Sequence, residues 1–237
     1  MAFKLINDEI IIHIPKTGTR SLYYALTELN VIKKEYDRHM SIREVKSWVE
    51  DLGEVINDDS SDGTKFLIQV RNPYDRFLSM YNHLFFSLYN FPEDSAKLSQ
   101  EEIDYIEELS LNEFVDFLIK PDKRKIFISK VRTMIKKKGL RQQYDPALIY
   151  KTQSSFLTGH ITRTLRIFKL EDKEIWKYLN HLGYDVQEIH HGQNIYKKEF
   201  DLTDGQREII ANFYRSDFRR FFYDRNSEII DGLYPHS

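Results

Sequence analysis

The sequence contains no cysteine, which removes disulfides, thiolate metal sites and a thiol nucleophile from consideration. That absence names no compartment, but it ends any dependence on an oxidising one. No stretch approaches the roughly 18–20 apolar residues that a membrane span needs. The opening residues, MAFKLINDEIIIHIPK, carry Asp8 and Glu9 inside what little is apolar, so no signal peptide is expected. A strong charge of one sign is missing too. Lys and Arg number 35 against 37 Asp and Glu, for a formal net charge of −2. That balance argues against nucleic-acid binding through an overall positive field and leaves room for a local cationic pocket. The expectation is a cytoplasmic protein with no integral membrane segment and no nucleic-acid partner.

The 237 residues, 41% of them hydrophobic, suit one α/β domain with a real core. Glu9–Ile14 is a short β-rich run ending at Pro15, and Lys65–Arg71 is a second. Leu165–Phe168 reads as a third strand. Helices are predicted over 19–30, from the Ser41–Glu44 capping box to about Leu52, and from Asn72-Pro73 onward. Residues 92–140 read as wholly helical, with a capping box at Ser99–Glu102, an amphipathic piece over Leu111–Ile119 and a basic helix over Lys123–Lys138. That basic stretch reads as a solvated face with Ile126, Phe127, Val131 and Ile135 inward, or as a surface for an anionic glycan. Glu171–Leu182 is expected to be helical, and Thr203 with Gln206 opens a long final helix. Alternating strands and helices predict a central parallel sheet flanked by helices. The middle helices, around 86–160, read as an insertion.

Two junctions carry the chemistry. Residues 12–22, Ile-His-Ile-Pro-Lys-Thr-Gly-Thr-Arg-Ser-Leu, lie where a strand hands over to a helix. The first-turn N–H groups of such a helix lack intrahelical partners and favour an anion. Gly18 lets backbone approach a ligand, Lys16 brings a cation, and Thr17, Thr19 and Ser21 bring hydroxyls. This is a cradle for a phosphate or sulfate. It is not a Walker A loop, because Lys16 precedes Gly18 and no glycine lies upstream. Its bland reading is a junction whose hydroxyls only cap the helix. The second junction, residues 66–81, ends its strand at Arg71, where ligands of open α/β sheets gather. Ser79 follows about two turns later. An arginine fork and a hydroxyl suit a second phosphate.

Together the two junctions resemble the carbohydrate-type (family 2) branch of the PAPS-dependent sulfotransferases, PAPS being 3′-phosphoadenylyl sulfate. His13 to Gly18 looks like that family's 5′-phosphosulfate loop, and residues 71–81 look like its 3′-phosphate segment. Arg38-His39-Met40-Ser41 resembles its histidine-bearing stretch. Weaker echoes lie at Asn112–Val115, Gln153–Gly159, Ile167–Asp172 and Tyr214–Tyr223. Arg20 departs from the family's loop, which often has a second glycine before Thr-Ser.

The resemblance implies one sulfotransferase domain over 1–237 with a fold similar to P-loop kinases. It implies that Lys16, Thr17, Gly18, Thr19, Arg20 and Ser21 hold the 5′-phosphosulfate and that Arg71 and Ser79 hold the 3′-phosphate. His39 would be the base that takes the acceptor hydroxyl's proton, with Lys16 on the departing oxygen. No metal is required, and the product nucleotide would be PAP. The acceptor would bear a hydroxyl, on a glycan or a small molecule. His83, one turn beyond Ser79, is the other candidate base, while His13 reads as a packed strand residue. His190 and His191 read as solvated loop residues, or as part of an acceptor site. The alternatives are a P-loop-like kinase or nucleotide hydrolase, a module that binds PAP without turnover, and an RNA-binding domain.

Overall fold

Ile10 to Ile12 and Phe66 to Val70 are β-branched and aromatic runs without a charged residue, and both are fully buried. Such segments satisfy their backbone only between neighbours in a sheet covered on both faces. The computed structural model describes residues 2–36, 39–51, 65–89, 98–137, 145–158, 165–189 and 201–225. Their elements, in chain order, are β1 (Ala2–Leu5), β2 (Ile10–Ile12), α1 (Thr19–Glu28), β3 (Ile32–Glu35), α2 (Ile42–Asp51), β4 (Phe66–Val70) and α3 (Pro73–Tyr89). There follow α4 (Gln100–Glu107), α5 (Leu111–Ile119), α6 (Pro121–Lys137), β5 (Leu165–Lys169), α7 (Glu174–His181), α8 (Asp204–Phe213) and α9 (Arg215–Arg220). Two 3₁₀ helices, Pro146–Tyr150 and Gln153–Leu157, stand between α6 and β5. The acidic loop Asn57–Gly63, Arg38, Gly139, His190 and His191 lie outside the described residues.

Two compact units are present, one within Met1–Asn72 and Thr152–Gln193, the other within Pro73–Lys151 and Asn194–Asp231. The first holds a five-stranded sheet of order β3-β1-β2-β4-β5. The three strands expected from sequence form its parallel part, with Ile10 beside Phe66 and Phe66 beside Leu165. The rest of the sheet is antiparallel. β1 pairs with β2 as a hairpin and with β3 on its other side. The parallel sheet expected from sequence is therefore a mixed one. β3 escapes a hydrophobic reading because it is an edge strand of sequence Ile-Lys-Lys-Glu, buried only on alternate residues.

Side-chain alternation assigns the two faces of this sheet. Ile11, Leu67 and Phe168 pack against Leu22 and Leu26 of α1 and Ile175 and Leu179 of α7. On the opposite face Lys46 of α2 lies 5.7 Å over the Phe66 ring. The unit is thus a sheet flanked by helices, a mixed α/β arrangement of the P-loop-like kind.

The second unit is helical and aromatic. Phe77, Tyr81 and Leu84 of α3 gather with Phe114, Phe117, Phe127, Val131, Ile210 and Tyr214. The three helical pieces expected within 92–140 are α4, α5 and α6. Ser110 restarts the chain with a capping box to Glu113, and Pro121 opens α6. α6 buries Phe127, Val131 and Ile135 as expected, whereas Ile126 is 60% exposed. The final helix is two. Its ladder stops at Tyr214, which is buried and donates its hydroxyl to the Ile149 carbonyl.

Candidate functional site

β2 and β4 are adjacent and parallel, so the loop after β2 and the residues after β4 emerge at the same edge of the sheet. The loop after β2 takes a turn only by adopting left-handed backbone at Lys16 (φ 66) and Gly18 (φ 77). Such turns gather successive N–H groups into an anion-binding concavity. Gly18 is required twice over. Its φ disfavours a side chain, and a Cβ there would come within 2.7 Å of Leu170 Cδ1.

Hydroxyls brace this loop from within. Thr17 Oγ1 donates to the Ile14 carbonyl at 2.9 Å and lies 2.9 Å from Thr19 Oγ1. Because Thr17 has a single proton, Thr19 donates in the second bond. Both side chains are buried, at 0% and 1% exposure. Ser21, also buried, bonds its N–H to the Gly18 carbonyl at 3.0 Å. α1 itself has Gly18 at its N-cap and receives no side-chain cap, so its opening N–H groups stay directed into the loop mouth.

Three cations, Lys16, Arg20 and Arg71, stand at this mouth. Lys16 is half-buried, and the protein packed around it lowers its pKa from 10.5 to about 7, with the Arg71 and Arg20 guanidiniums adding to the effect. Among the described residues, the charges that act on it are both cations. Among the described residues neither Lys16 nor Arg71 joins an ion pair. Arg20 is exposed and held along α1 by Tyr24, whose hydroxyl accepts from its Nη2 at 3.2 Å. A buried lysine with two guanidiniums acting on it defines a site for an anion.

His39 is also half-buried and sits at φ 58 in the turn before α2. Its ring centroid lies 5.0 Å from that of His13, the residue that leaves β2 three positions before Lys16. The Ser41–Glu44 capping box forms as expected, with the Ser41 N–H donating to Glu44 Oε2 at 2.6 Å and the Glu44 N–H to Ser41 Oγ at 3.3 Å. This fixes where α2 begins and so where the turn carrying His39 must end. The arrangement brings His39 and His13 to the sheet edge that carries Lys16. Ser79 and His83 are half-buried positions on α3 in the helical unit.

Three residues at this edge were given no role by sequence reasoning. Gln153 is fully buried and bonds both the N–H and the carbonyl of Arg71, at 2.9 and 2.8 Å. Glu171 accepts the Asn72 N–H at 2.7 Å. Gln69, 1% exposed, lies beneath Gly18, and neither end of its amide has a hydrogen-bond partner among the described residues. One signal was available. A glutamine inside the buried run Phe-Leu-Ile-Gln-Val is out of place in a core strand unless it has a task.

A mixed α/β unit whose sheet edge carries a left-handed loop, a capless helix and converging cations is the frame of a group-transfer enzyme for an anionic donor. Residues 8–224 match the model of the sulfotransferase family. The chain belongs to that family and is a sulfotransferase. No individual curated protein and no solved structure gives a match. Among the described residues no helix is long and apolar enough to cross a membrane, and no group of three or more metal-ligating side chains occurs.

Proposed function

We propose that the chain transfers the sulfuryl group of PAPS to a hydroxyl on a carbohydrate, by in-line displacement with His39 as base. The observation that carries the reading is the electrostatic stress on Lys16, which is set by burial and increased by the Arg71 and Arg20 guanidiniums at one sheet edge. A donor with anionic groups at both ends of its ribose relieves that stress. ATP has nothing at its 3′ position to do so beside Arg71. In the reaction the acceptor oxygen forms a bond to sulfur, and the bond from sulfur to the bridging oxygen of the 5′-phosphate breaks. The electron pair leaves with PAP, and the acceptor's proton passes to His39. Such a step needs alignment and charge stabilisation more than a protein nucleophile. Lys16 neutralises the bridging oxygen, the loop N–H groups hold the non-bridging oxygens, and Arg71 fixes the 3′-phosphate. Ser79 belongs to the same reading through the resemblance of residues 71–81 to the family's 3′-phosphate segment.

Support for His39 comes from its place beside His13 at the exit of β2 and from the capping box that ends its turn. Support for a carbohydrate acceptor comes from the likeness to the carbohydrate-type branch. The test is incubation with sulfur-labelled PAPS and a panel of glycan, small-alcohol and tyrosine acceptors. Label on a glycan is expected, and it should vanish in His39→Ala while PAP affinity stays within about threefold. Near-normal turnover by His39→Ala rejects the base, and label on tyrosine alone rejects the carbohydrate.

A further inference from the structure

β4 ends its ladder at Val70, whose carbonyl accepts from the Leu170 N–H at 2.8 Å. Arg71 is the next residue, and on its other side β2 has already ended, so among the described residues no strand pairs it. The Gln153 amide takes that place. Its Oε1 accepts from the Arg71 N–H at 2.9 Å and its Nε2 donates to the Arg71 carbonyl at 2.8 Å, which is the pairing a neighbouring peptide would offer. Gln153 is 0% exposed, so solvent does not compete for these bonds. It opens a 3₁₀ helix capped by Thr152, whose hydroxyl accepts from the Ser155 N–H at 3.2 Å and whose Phe156 and Leu157 are buried. The same helix ends where the Thr158 carbonyl accepts from the Arg43 N–H of α2 at 2.8 Å. One short helix thus holds both the backbone of Arg71 and the first turn after His39.

The geometry points to Gln153 as a positioning residue that sets recognition of the donor's 3′-phosphate. It does so by fixing the backbone from which the Arg71 guanidinium projects, and the inference rests on the reading of Arg71 given above. Two-point pairing of both peptide groups holds the Arg71 Cα, so only the side chain has to be ordered when a phosphate binds. Neither Gln153 atom needs to touch the donor.

The readout is the ratio of affinities for PAP and 5′-AMP, measured by calorimetry. The two ligands share the 5′-phosphate and differ in the 3′-phosphate. A charge-assisted arginine contact corresponds to roughly 10- to 100-fold preference for PAP in the wild type. Gln153→Leu should cut that preference at least fivefold while AMP affinity stays within about threefold. KM for PAPS should rise more than kcat falls. If the leucine variant does not fold, Gln153→Met keeps the length of the side chain and loses both hydrogen bonds without adding a charge. It should cut the preference at least threefold. An unchanged preference in either variant overturns the inference, as does an equal loss of PAP and AMP binding, which marks a purely structural role. A wild type that binds PAP and AMP alike sinks the 3′-phosphate reading itself. That outcome is distinct, because in it nothing remains for the variants to lose.

Discussion

Lys16 makes the reading of the site measurable through protons. Its folded pKa of about 7 stands far below the ordinary 10.5, first because of burial and then because Arg71 and Arg20 are near. At pH 8 such an amine is protonated to roughly one tenth. A bound anion about 4 Å away contributes roughly 4 kcal/mol at an effective dielectric of 20. That corresponds to about three pKa units and returns Lys16 to the neighbourhood of 10. Binding PAP at pH 8 should therefore draw close to 0.9 proton from the buffer. The phosphates of PAP are already deprotonated at that pH and supply none of this. Calorimetric titration in two buffers of different ionisation enthalpy measures the uptake directly. Affinity should fall nearly tenfold between pH 8 and 9. Lys16→Arg keeps a permanent charge, so it should bind PAP with uptake near zero and a flat profile over that interval. An uptake near zero in the wild type, or one that survives in Lys16→Arg, refutes the reasoning.

Four further outcomes follow from the same geometry. The folded pKa of Lys16 is depressed, so the unfolded chain binds more protons between pH 7 and 10.5. Stability should rise across that window and carry the whole penalty below it. Lys16→Met should accordingly stabilise the protein at pH 7 by about 2 kcal/mol, a figure discounted for partial solvent access and checked by urea unfolding. Gly18→Ala forces a side chain into left-handed backbone against Leu170 and should cost about 1–2 kcal/mol, with a marked loss of PAP affinity on calorimetry. Gln69→Leu removes a buried amide that has no partner among the described residues, so the melting temperature should rise by an amount equivalent to about 1 kcal/mol or more. In the helical unit, Tyr214→Phe strands the buried Ile149 carbonyl and should lower stability in denaturant by about 1–3 kcal/mol.

What the sequence made legible was local. The runs containing Ile10 to Ile12 and Phe66 to Val70 announced buried strands because, Gln69 apart, their residues are apolar and mostly β-branched or aromatic. The capping boxes at Ser41 and Ser99 formed because each is closed by side chains three residues apart. The equivalent box at Ser110–Glu113 was equally visible, and it explains why the helical stretch breaks where it does. The β1–β2 hairpin was harder to see. Each strand is only three or four residues long, and the chain turns between them through a left-handed Asp8 rather than a glycine. The end of the last helix at Tyr214 depends on a bond to Ile149, 65 residues away, and no local propensity encodes it. The candidate site divides in the same way. Lys16, Gly18 and Arg71 are readable because each is an unusual residue at a strand end. Gln153 acts on Arg71 across 82 residues of sequence, and only a folded sheet reveals that an amide stands in for a missing strand.

In the proposed mode of binding, the cations gathered after β2 and β4 receive the two ends of one nucleotide. A crystal structure of the protein with PAP tests it most directly. The 5′-phosphate should lie on Lys16 and the N–H groups of the loop through Arg20, with the 3′-phosphate on Arg71. PAP seated on other residues, or touching Lys16 while Arg71 contacts nothing of it, would contradict the account.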